Sequence, residues 1–381
     1  MTLMHKNIPV AKLKMEDNKP VGFEMIYKID ELPLGVKGNN LEQDRILLKH
    51  WYESRTIPNL RPNIIFLEQK LGISIAEAFI KSAGVSLTDT YWLKDENSDI
   101  SWEEINYHKN GFSQVLGNAE LLQQYLFKPS PDFTTDGIMD KFWLSMDGKP
   151  YLYKKDTKYN NILSANEVFV SQIAFDLGIK TVPYFAGKHI NKFSGQTMNY
   201  CFCPCFVEND QIDFINAMQV KHSNFQLTGD KLLRYFIKEL GFEKQIKQMI
   251  TLDCFLHNTD RHERNFGYLQ KENGEKTFVP LFDNGFCLGA NRNHLYPITD
   301  NDMKPTNSSR KELLEKYFIP FDIDTTFLFD TLQKIYEEFS ISEIRYQMAK
   351  EELNKGIEII QEFQNKKSYK IFIENDEEKE I

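Results

Sequence analysis

The chain has 381 residues, 46 Lys and Arg against 55 Asp and Glu, a formal charge of −9 and 41% hydrophobic residues. At ~150 residues per domain this length suggests two or three domains or lobes with a sizeable core, which excludes a wholly disordered chain. Direct nucleic-acid binding draws on a basic face that releases counterions, and the acidic balance points the other way.

The first twenty residues are interrupted by His5, Lys6, Lys12 and Lys14, so no secretory signal is expected. No stretch approaches the ~20 apolar residues of a membrane span. Five cysteines in a chain of this length do not make a disulfide framework, and a reducing cytoplasm is the expected location.

In chain order, IPVAKLKM and VGFEMIYKI flank the polar turn Glu16–Pro20 and predict a hairpin. Leu41, Arg45, Leu48 and Tyr52 fall at near-helical spacing, and Pro58 and Pro62 stop that helix. Short helices are expected from Ile64 to Ala83. TDTYWLK and ISWEEINY, between Ser86 and Asn118, read as a packed aromatic platform rather than a ligand-binding cluster. From Phe127 to Val207 the pattern is mostly extended. Lys141–Ser145 and Tyr151–Lys154 flank an Asp147-Gly148 reversal, and a helix is expected from Asn166 to Leu177, stopped by Gly178. Cys201, Cys203 and Cys205 recur at period two, which puts three thiols on one face of a strand. A zinc site lacks its second ligand pair there, so they read as buried strand cysteines.

The remainder reads as mainly helical. Residues 241–256 carry an apolar stripe. Then come the polar loop His257–Arg264, a strand Asn265–Leu269, a turn, a strand Thr277–Phe282 and Asp283. Helices are expected from Ile323 to Phe339 and from Ile341 to Phe363, followed by a frayed acidic tail.

The loop His257-Asn-Thr-Asp-Arg-His-Glu-Arg-Asn265 concentrates the chemistry. Phosphoryl transfer needs a carboxylate to orient the attacking hydroxyl, an Asn and an Asp to hold magnesium on the phosphates, and a Lys to fix the nucleotide. Asp260 and Asn265 supply the first two on one loop, and the hairpin that follows returns Asp283 as a second oxygen ligand. Lys154, at the end of its strand, has the reach for phosphates, with Glu167 on the next helix as an ion-pair partner. Each has a plainer reading. Asp260 alone is a turn or capping residue, Lys154 beside Lys155 is a solvated pair, and Glu167 is a helix-start carboxylate. A metal-dependent hydrolase built on His257, Asp260 and His262 is a different class of answer.

These residues resemble a known family. Asn-Thr-Asp260-Arg-His262-Glu-Arg-Asn265, with Pro280-Leu-Phe-Asp283 beyond it, is similar to the active site of the HipA-like and CtkA-like bacterial serine/threonine kinases. That family shares its fold and its Asp-Arg-His order with the phosphatidylinositol 3/4-kinases. Thr134-Thr-Asp-Gly137-Ile-Met-Asp-Lys141 resembles the family's phosphate-covering segment, Leu152-Tyr-Lys154 its nucleotide-lysine strand, Asn166-Glu167 its helix glutamate, and Lys304-Pro305 the end of its activation segment.

The resemblance implies an α+β chain with a bilobal protein-kinase-like (phosphatidylinositol-kinase-like) fold, a β-rich N-lobe and a helical C-lobe after an α/β N-terminal extension. The expected divisions are 1–120 for the extension, 121–208 for the N-lobe, 209–370 for the C-lobe and 371–381 for an acidic tail. It implies ATP and Mg2+ as cofactors, Asp260 as base, and His262 in support of the loop or the phosphoryl group. Asn265 and Asp283 become magnesium ligands and Lys154 the nucleotide clamp. Thr134, Thr135 and Gly137 would cradle phosphate, and Phe206, within Pro204–Glu208, would lie near the adenine. The implied partners are a protein substrate with a Ser or Thr acceptor and a small antitoxin-like protein. The chain departs from the pattern in having no Gly-x-Gly-x-x-Gly and no counterpart of the regulatory serine of HipA-type toxins. A lipid or small-molecule kinase of the same fold, and a nucleotide-binding pseudokinase, are the competing readings.

Overall fold

The computed structural model describes residues 1–59, 61, 64–113, 129–137, 139–156, 160–190, 197–291 and 303–377. Eleven strands and twelve helices are described. The first part of the chain contains β1 (Thr2–His5), β2 (Ile8–Glu16), β3 (Lys19–Ile26), α1 (Leu41–Glu53), α2 (Ile64–Leu71), α3 (Ile75–Lys81), β4 (Tyr91–Lys94), α4 (Trp102–Ile105) and α5 (Tyr107–Asn110). The middle contains β5 (Asp140–Met146), β6 (Lys149–Lys155), α6 (Ile162–Asp176), β7 (Phe185–Ile190), β8 (Thr197–Pro204), β9 (Ile212–Asn216) and α7 (Ala217–Ser223). The last part contains α8 (Asp230–Lys238), α9 (Glu243–Leu256), β10 (Gly267–Lys271), β11 (Lys276–Phe278), α10 (Arg310–Tyr317), α11 (Thr325–Glu338) and α12 (Glu343–Glu377).

Two compact units form, each discontinuous in sequence. The first takes Met1–Thr157, Phe202–Leu227 and Gly267–Val279; the second takes Lys158–Cys201, Thr228–Phe266 and Pro280–Ile381. The expected division at 120/121 falls on residues outside those described, and the first unit takes residues from both sides of it. The expected division at 208 falls inside the first unit. Helix α12 carries helical structure through residues 371–377 of the acidic terminal segment.

In the first unit, β3-β2-β1-β4 form one sheet. The predicted hairpin is β2–β3; β1 and β4 were too short to stand out in the sequence. Leu3, Val10, Leu13, Leu93, Leu48, Trp51 and Phe79 join this sheet to α1 and α3 in one buried cluster. Helix α1 starts at Asn40, whose side chain accepts from the Gln43 amide. The aromatic platform is core: Trp92, Trp102, Tyr107 and Trp143 pack with Met4 and Leu87. Strands β5 and β6 pair as an antiparallel hairpin around Asp147-Gly148, and β11-β10-β9 form a second small sheet. Gly267 sits against the backbone of β9, where a Cβ would lie 2.2 Å from the Ile215 carbonyl oxygen, so only glycine permits that pairing.

The second unit is built mainly on α6, α9, α11 and α12. Helix α6 begins four residues before its predicted start. It is buried on nearly every face, so it lacks the polar stripe that marks an amphipathic helix. Helices α9 and α12 approach so closely that a Cβ on Gly356 would lie 1.9 Å from the Phe255 carbonyl oxygen. None of the five cysteines forms a disulfide; Cys201 and Cys203 are buried and Cys205 lies just beyond the end of β8, half-buried.

Candidate active site

Helix α9 ends at His257, which adopts the left-handed conformation (φ +52°) and turns the chain into the Asn258–Asn265 loop. The loop folds around Arg261, which is fully buried. Its Nε donates to Asp253 Oδ2 (2.9 Å) and Nη2 to Asp253 Oδ1 (3.0 Å). Nη1 donates to the Asn265 carbonyl (3.1 Å) and the Phe282 carbonyl (2.7 Å), and Nη2 also donates to Asn284 Oδ1. All five N–H groups of the guanidinium are thus engaged. One side chain ties together α9, the loop and the residues flanking Asp283. Burial opposes its charge, yet Asp253, with Asp283 and Glu167, holds Arg261 above its ordinary value.

Asp253 is buried and orients the loop; it also accepts from Asn258 Nδ2 at 2.9 Å. Asp260 stands half-buried at the loop apex, its amide donating to Asn258 Oδ1 (3.2 Å). Asn265, itself buried, donates from Nδ2 to the Asp260 carbonyl (3.1 Å), which fixes the amide plane. Asp283 has φ +57°, a conformation rare outside glycine and tolerated by Asp and Asn. The next residue is anchored by α6. The Asn284 amide donates to Glu167 Oε2 (2.8 Å), and Asn166 Nδ2 donates to the Gly285 and Cys287 carbonyls (2.9 Å each). Tyr336 donates its hydroxyl to Asn166 Oδ1 at 2.7 Å.

His262 lies among these charges, with Nε2 3.9 Å from Asp260 Oδ2. Burial pushes its imidazole below the ordinary value; Asp260 and Asp283 oppose that shift, and Arg264 and Lys304 add to it. The structure therefore gathers Asp260, His262, Asn265 and Asp283 in the second unit, with Glu167 holding the segment after Asp283. His257 belongs to a different contact. It is buried, and its Nδ1 lies 3.0 Å from Glu352 Oε2 on α12. The three-residue metal cluster of the hydrolase reading does not form, and no group of three or more His, Cys, Asp or Glu side chains suited to a metal occurs among the described residues.

The other expected site residues lie in the first unit. Lys154 is 2% exposed, so the solvated-pair reading does not describe it. Phe206 packs edge-on against Phe214 on β9. Thr134 ends a 3-10 turn, Pro131–Thr134, and its hydroxyl donates to the Pro131 carbonyl at 2.9 Å. The Thr135 hydroxyl donates to the Asp132 carbonyl (2.8 Å) and accepts from Arg61 Nη1 (2.9 Å). The Gly137 amide donates to Asp136 Oδ1 (2.7 Å). These groups are thus engaged in holding the segment's own shape.

Sequence reasoning missed the residue that holds this segment. Arg61, 5% exposed, donates from Nη2 to the Thr135 carbonyl (2.6 Å), and from Nε and Nη2 to the Gly137 carbonyl (3.1 and 3.0 Å). Burial lowers the Arg61 guanidinium to about 10. Its only sequence signal was a lone arginine between Leu60 and Pro62. Lys304 was noted as part of a Lys-Pro pair, but not as a partner of Asp260, whose Oδ1 it contacts at 2.8 Å.

With the geometry in place, comparison with known proteins defines a class. The solved structure of HipA from Shewanella oneidensis MR-1, determined with HipB and operator DNA, aligns over 96% of this chain and 97% of that one, with a TM-score of 0.52 and 11% identity. The chain therefore shares the α+β fold of that HipA structure. The solved structure of the proinflammatory kinase CtkA from Helicobacter pylori aligns over 62% of this chain and 93% of that one, with a TM-score of 0.46 and 17% identity. In sequence, the chain is 26% identical over 216 residues to the serine/threonine-protein kinase CtkA of Helicobacter pylori. That match takes 53% of this chain and spans 57% of the relative's length. No family model matches the chain. It is a distant homologue of CtkA in sequence and is similar to HipA in fold. Among the described residues no helix is long and apolar enough to cross a membrane.

Proposed function

We propose that the protein is an ATP- and magnesium-dependent serine/threonine protein kinase of the HipA-like type, its β-rich N-lobe carrying the nucleotide and its helical C-lobe the catalytic loop. The single observation that carries the reading is the Arg261 lock, which fixes Asp260, Asn265 and Asp283 within one rigid frame. Phosphoryl transfer is mainly positioning and electrostatics, and such a frame supplies the positioning.

The donor set suits the cofactor. Magnesium is commonly held by one or two protein oxygens together with phosphates, and Asn265 Oδ1 and the Asp283 carboxylate are oxygen donors on the two chain segments that Arg261 joins. ATP with magnesium supplies the phosphoryl group and the neutralisation of its charge. Asp260 orients the acceptor hydroxyl and takes its proton. His262, kept neutral by burial, donates or accepts a hydrogen bond beside Asp260 without adding charge. Lys154 is assigned to the nucleotide phosphates, and Glu167 to holding the segment after Asp283. The segment of Thr134, Thr135 and Gly137 is assigned to covering the phosphates, and Phe206 to the neighbourhood of the adenine. A small antitoxin-like partner is part of the proposal, by likeness to the HipA complex.

Incubation with γ-labelled ATP and separated protein, lipid and metabolite pools tests the reading. Label is expected on serine or threonine of protein. It is expected to fall ~10³-fold or more in Asp260→Asn and in Asp283→Ala, both still folded. Label confined to lipid or to a small metabolite would replace the protein-kinase reading with another kinase of the same fold, and retained transfer in Asp260→Asn would remove Asp260 as base.

A further inference from the structure

The contact between Lys304 and Asp260 is unexpected for a catalytic base. Lys304 Nζ donates to Asp260 Oδ1 at 2.8 Å, so the oxygen that would receive the acceptor hydroxyl already holds a cation. The other oxygen, Oδ2, faces His262 Nε2 at 3.9 Å. The ion pair is open to solvent, with side-chain exposures of 44% for Lys304 and 29% for Asp260. Pairs this exposed hold by only ~0–1 kcal/mol, so this one opens readily when a stronger partner arrives.

The lysine's backbone is fixed, and its head is not. Met303 beside it is buried and its amide donates to the Ser308 carbonyl at 3.2 Å. Ser309 then caps α10 by accepting from the Glu312 amide. A fixed stem with a half-exposed ammonium describes a side chain with one anchored end and a choice of anions at the other. Its charge, with those of Asp260, Asp283 and Arg264, acts on the His262 ring, so the ammonium lies within the group proposed to receive magnesium and phosphate.

We propose that Lys304 is a further catalytic residue, which pairs with Asp260 when no nucleotide is bound and passes to the γ-phosphoryl oxygens when ATP enters. The proposal rests on the kinase reading given above. A terminal phosphoryl group carries more negative charge than a carboxylate and offers three acceptor oxygens, so the ammonium gains by moving. Its departure frees Asp260 Oδ1 for the acceptor hydroxyl only once the donor is in place. In the transfer, the bond from the acceptor oxygen to the γ-phosphorus forms. The bond from that phosphorus to the bridging oxygen breaks, with the electron pair leaving on ADP, and the acceptor's proton passes to Asp260. Lys304 remains on the transferring group and offsets the charge on its equatorial oxygens.

The test compares the binding of ADP and of a non-hydrolysable ATP analogue, both with magnesium, by calorimetry on the full chain. The wild type is expected to bind the analogue more tightly than ADP. Lys304→Met loses that preference, with analogue affinity down ~10-fold and ADP affinity within ~2-fold of wild type, because only the triphosphate offers the third phosphoryl group. Asp260→Asn, which releases the lysine, strengthens the preference. Lys304→Arg keeps the charge and restores part of it, while Lys304→Met lowers kcat ~10²-fold. Equal discrimination in wild type and Lys304→Met overturns the proposal even if the enzyme is an active kinase. Failure of the wild type to bind either nucleotide would instead overturn the kinase reading, and this inference with it.

Discussion

Two buried arginines organise the two segments that matter here, and they do so on different terms. Arg261 faces a carboxylate: Asp253 takes two of its hydrogen bonds, and the guanidinium is held above its ordinary value against the effect of burial. Arg61 spends its hydrogen bonds on two carbonyls and a hydroxyl, with Asp140, Asp136 and Asp132 acting on it only through their charge, and burial wins, lowering it to about 10. The segment proposed to be catalytic is thus held by a compensated charge at the centre of a frame. The segment proposed to cover phosphate is held by a cation whose compensation is incomplete. A frame for chemistry gains from rigidity, and a covering segment that must admit an anionic ligand gains from retaining positive potential.

Substitution of each arginine tests that contrast. Arg261→Met leaves the Asp253 carboxylate buried without its partner and is expected to cost ~3–5 kcal/mol in denaturant unfolding. Adding Asp253→Asn should recover part of it, whereas Arg261→Lys, with three donors for five positions, should recover little. The floor of the same frame gives the next largest effect. Hydrogen bonding to His257 depresses the Glu352 carboxyl from 4.5 to about 2. A depressed carboxyl stabilises the fold fully above its unfolded value and loses that contribution as pH falls through the folded one. The expected loss is ~3 kcal/mol at most between pH 4.5 and pH 2. His257→Ala should flatten that part of the stability curve measured by thermal unfolding. The smallest change is Arg61→Met, expected to cost ~1–3 kcal/mol through unsatisfied carbonyls and to raise KM for ATP more than it lowers kcat. If Arg61→Met destabilises as much as Arg261→Met, the contrast between the two segments fails.

The sequence carried these segments unequally. Asp260, Arg261, His262, Asn265 and Asp283 were visible because polar residues of those types seldom crowd one loop, and the structure places them around a common centre. Helices α1 and α9 and the hairpins β2–β3 and β5–β6 were visible through apolar periodicity and an Asp-Gly turn. The start of α6 was not, because a helix buried all round has no polar face to give its phase. The four-residue strands β1 and β4 are too short for alternation to register. The contacts of Arg61 with Thr135 and of Lys304 with Asp260 were not legible: these partners lie 74 and 44 residues away, and only tertiary packing brings such pairs together. Local hydrogen bonds already engage the Thr134 and Thr135 hydroxyls that the sequence offered for phosphate.

The close seating of α12 on α9 has a consequence for how the protein is made. The carbonyl of Phe255 meets Gly356, and His257, at the entrance to the catalytic loop, is held by Glu352, 95 residues further along the chain. During synthesis the loop emerges from the ribosome well before the helix that supports it. The nascent chain therefore carries the proposed catalytic side chains of this loop with no floor beneath them until α12 docks. The proposed activity should appear only once α12 is released, so a ribosome stalled before residue 352 would display the loop without its support.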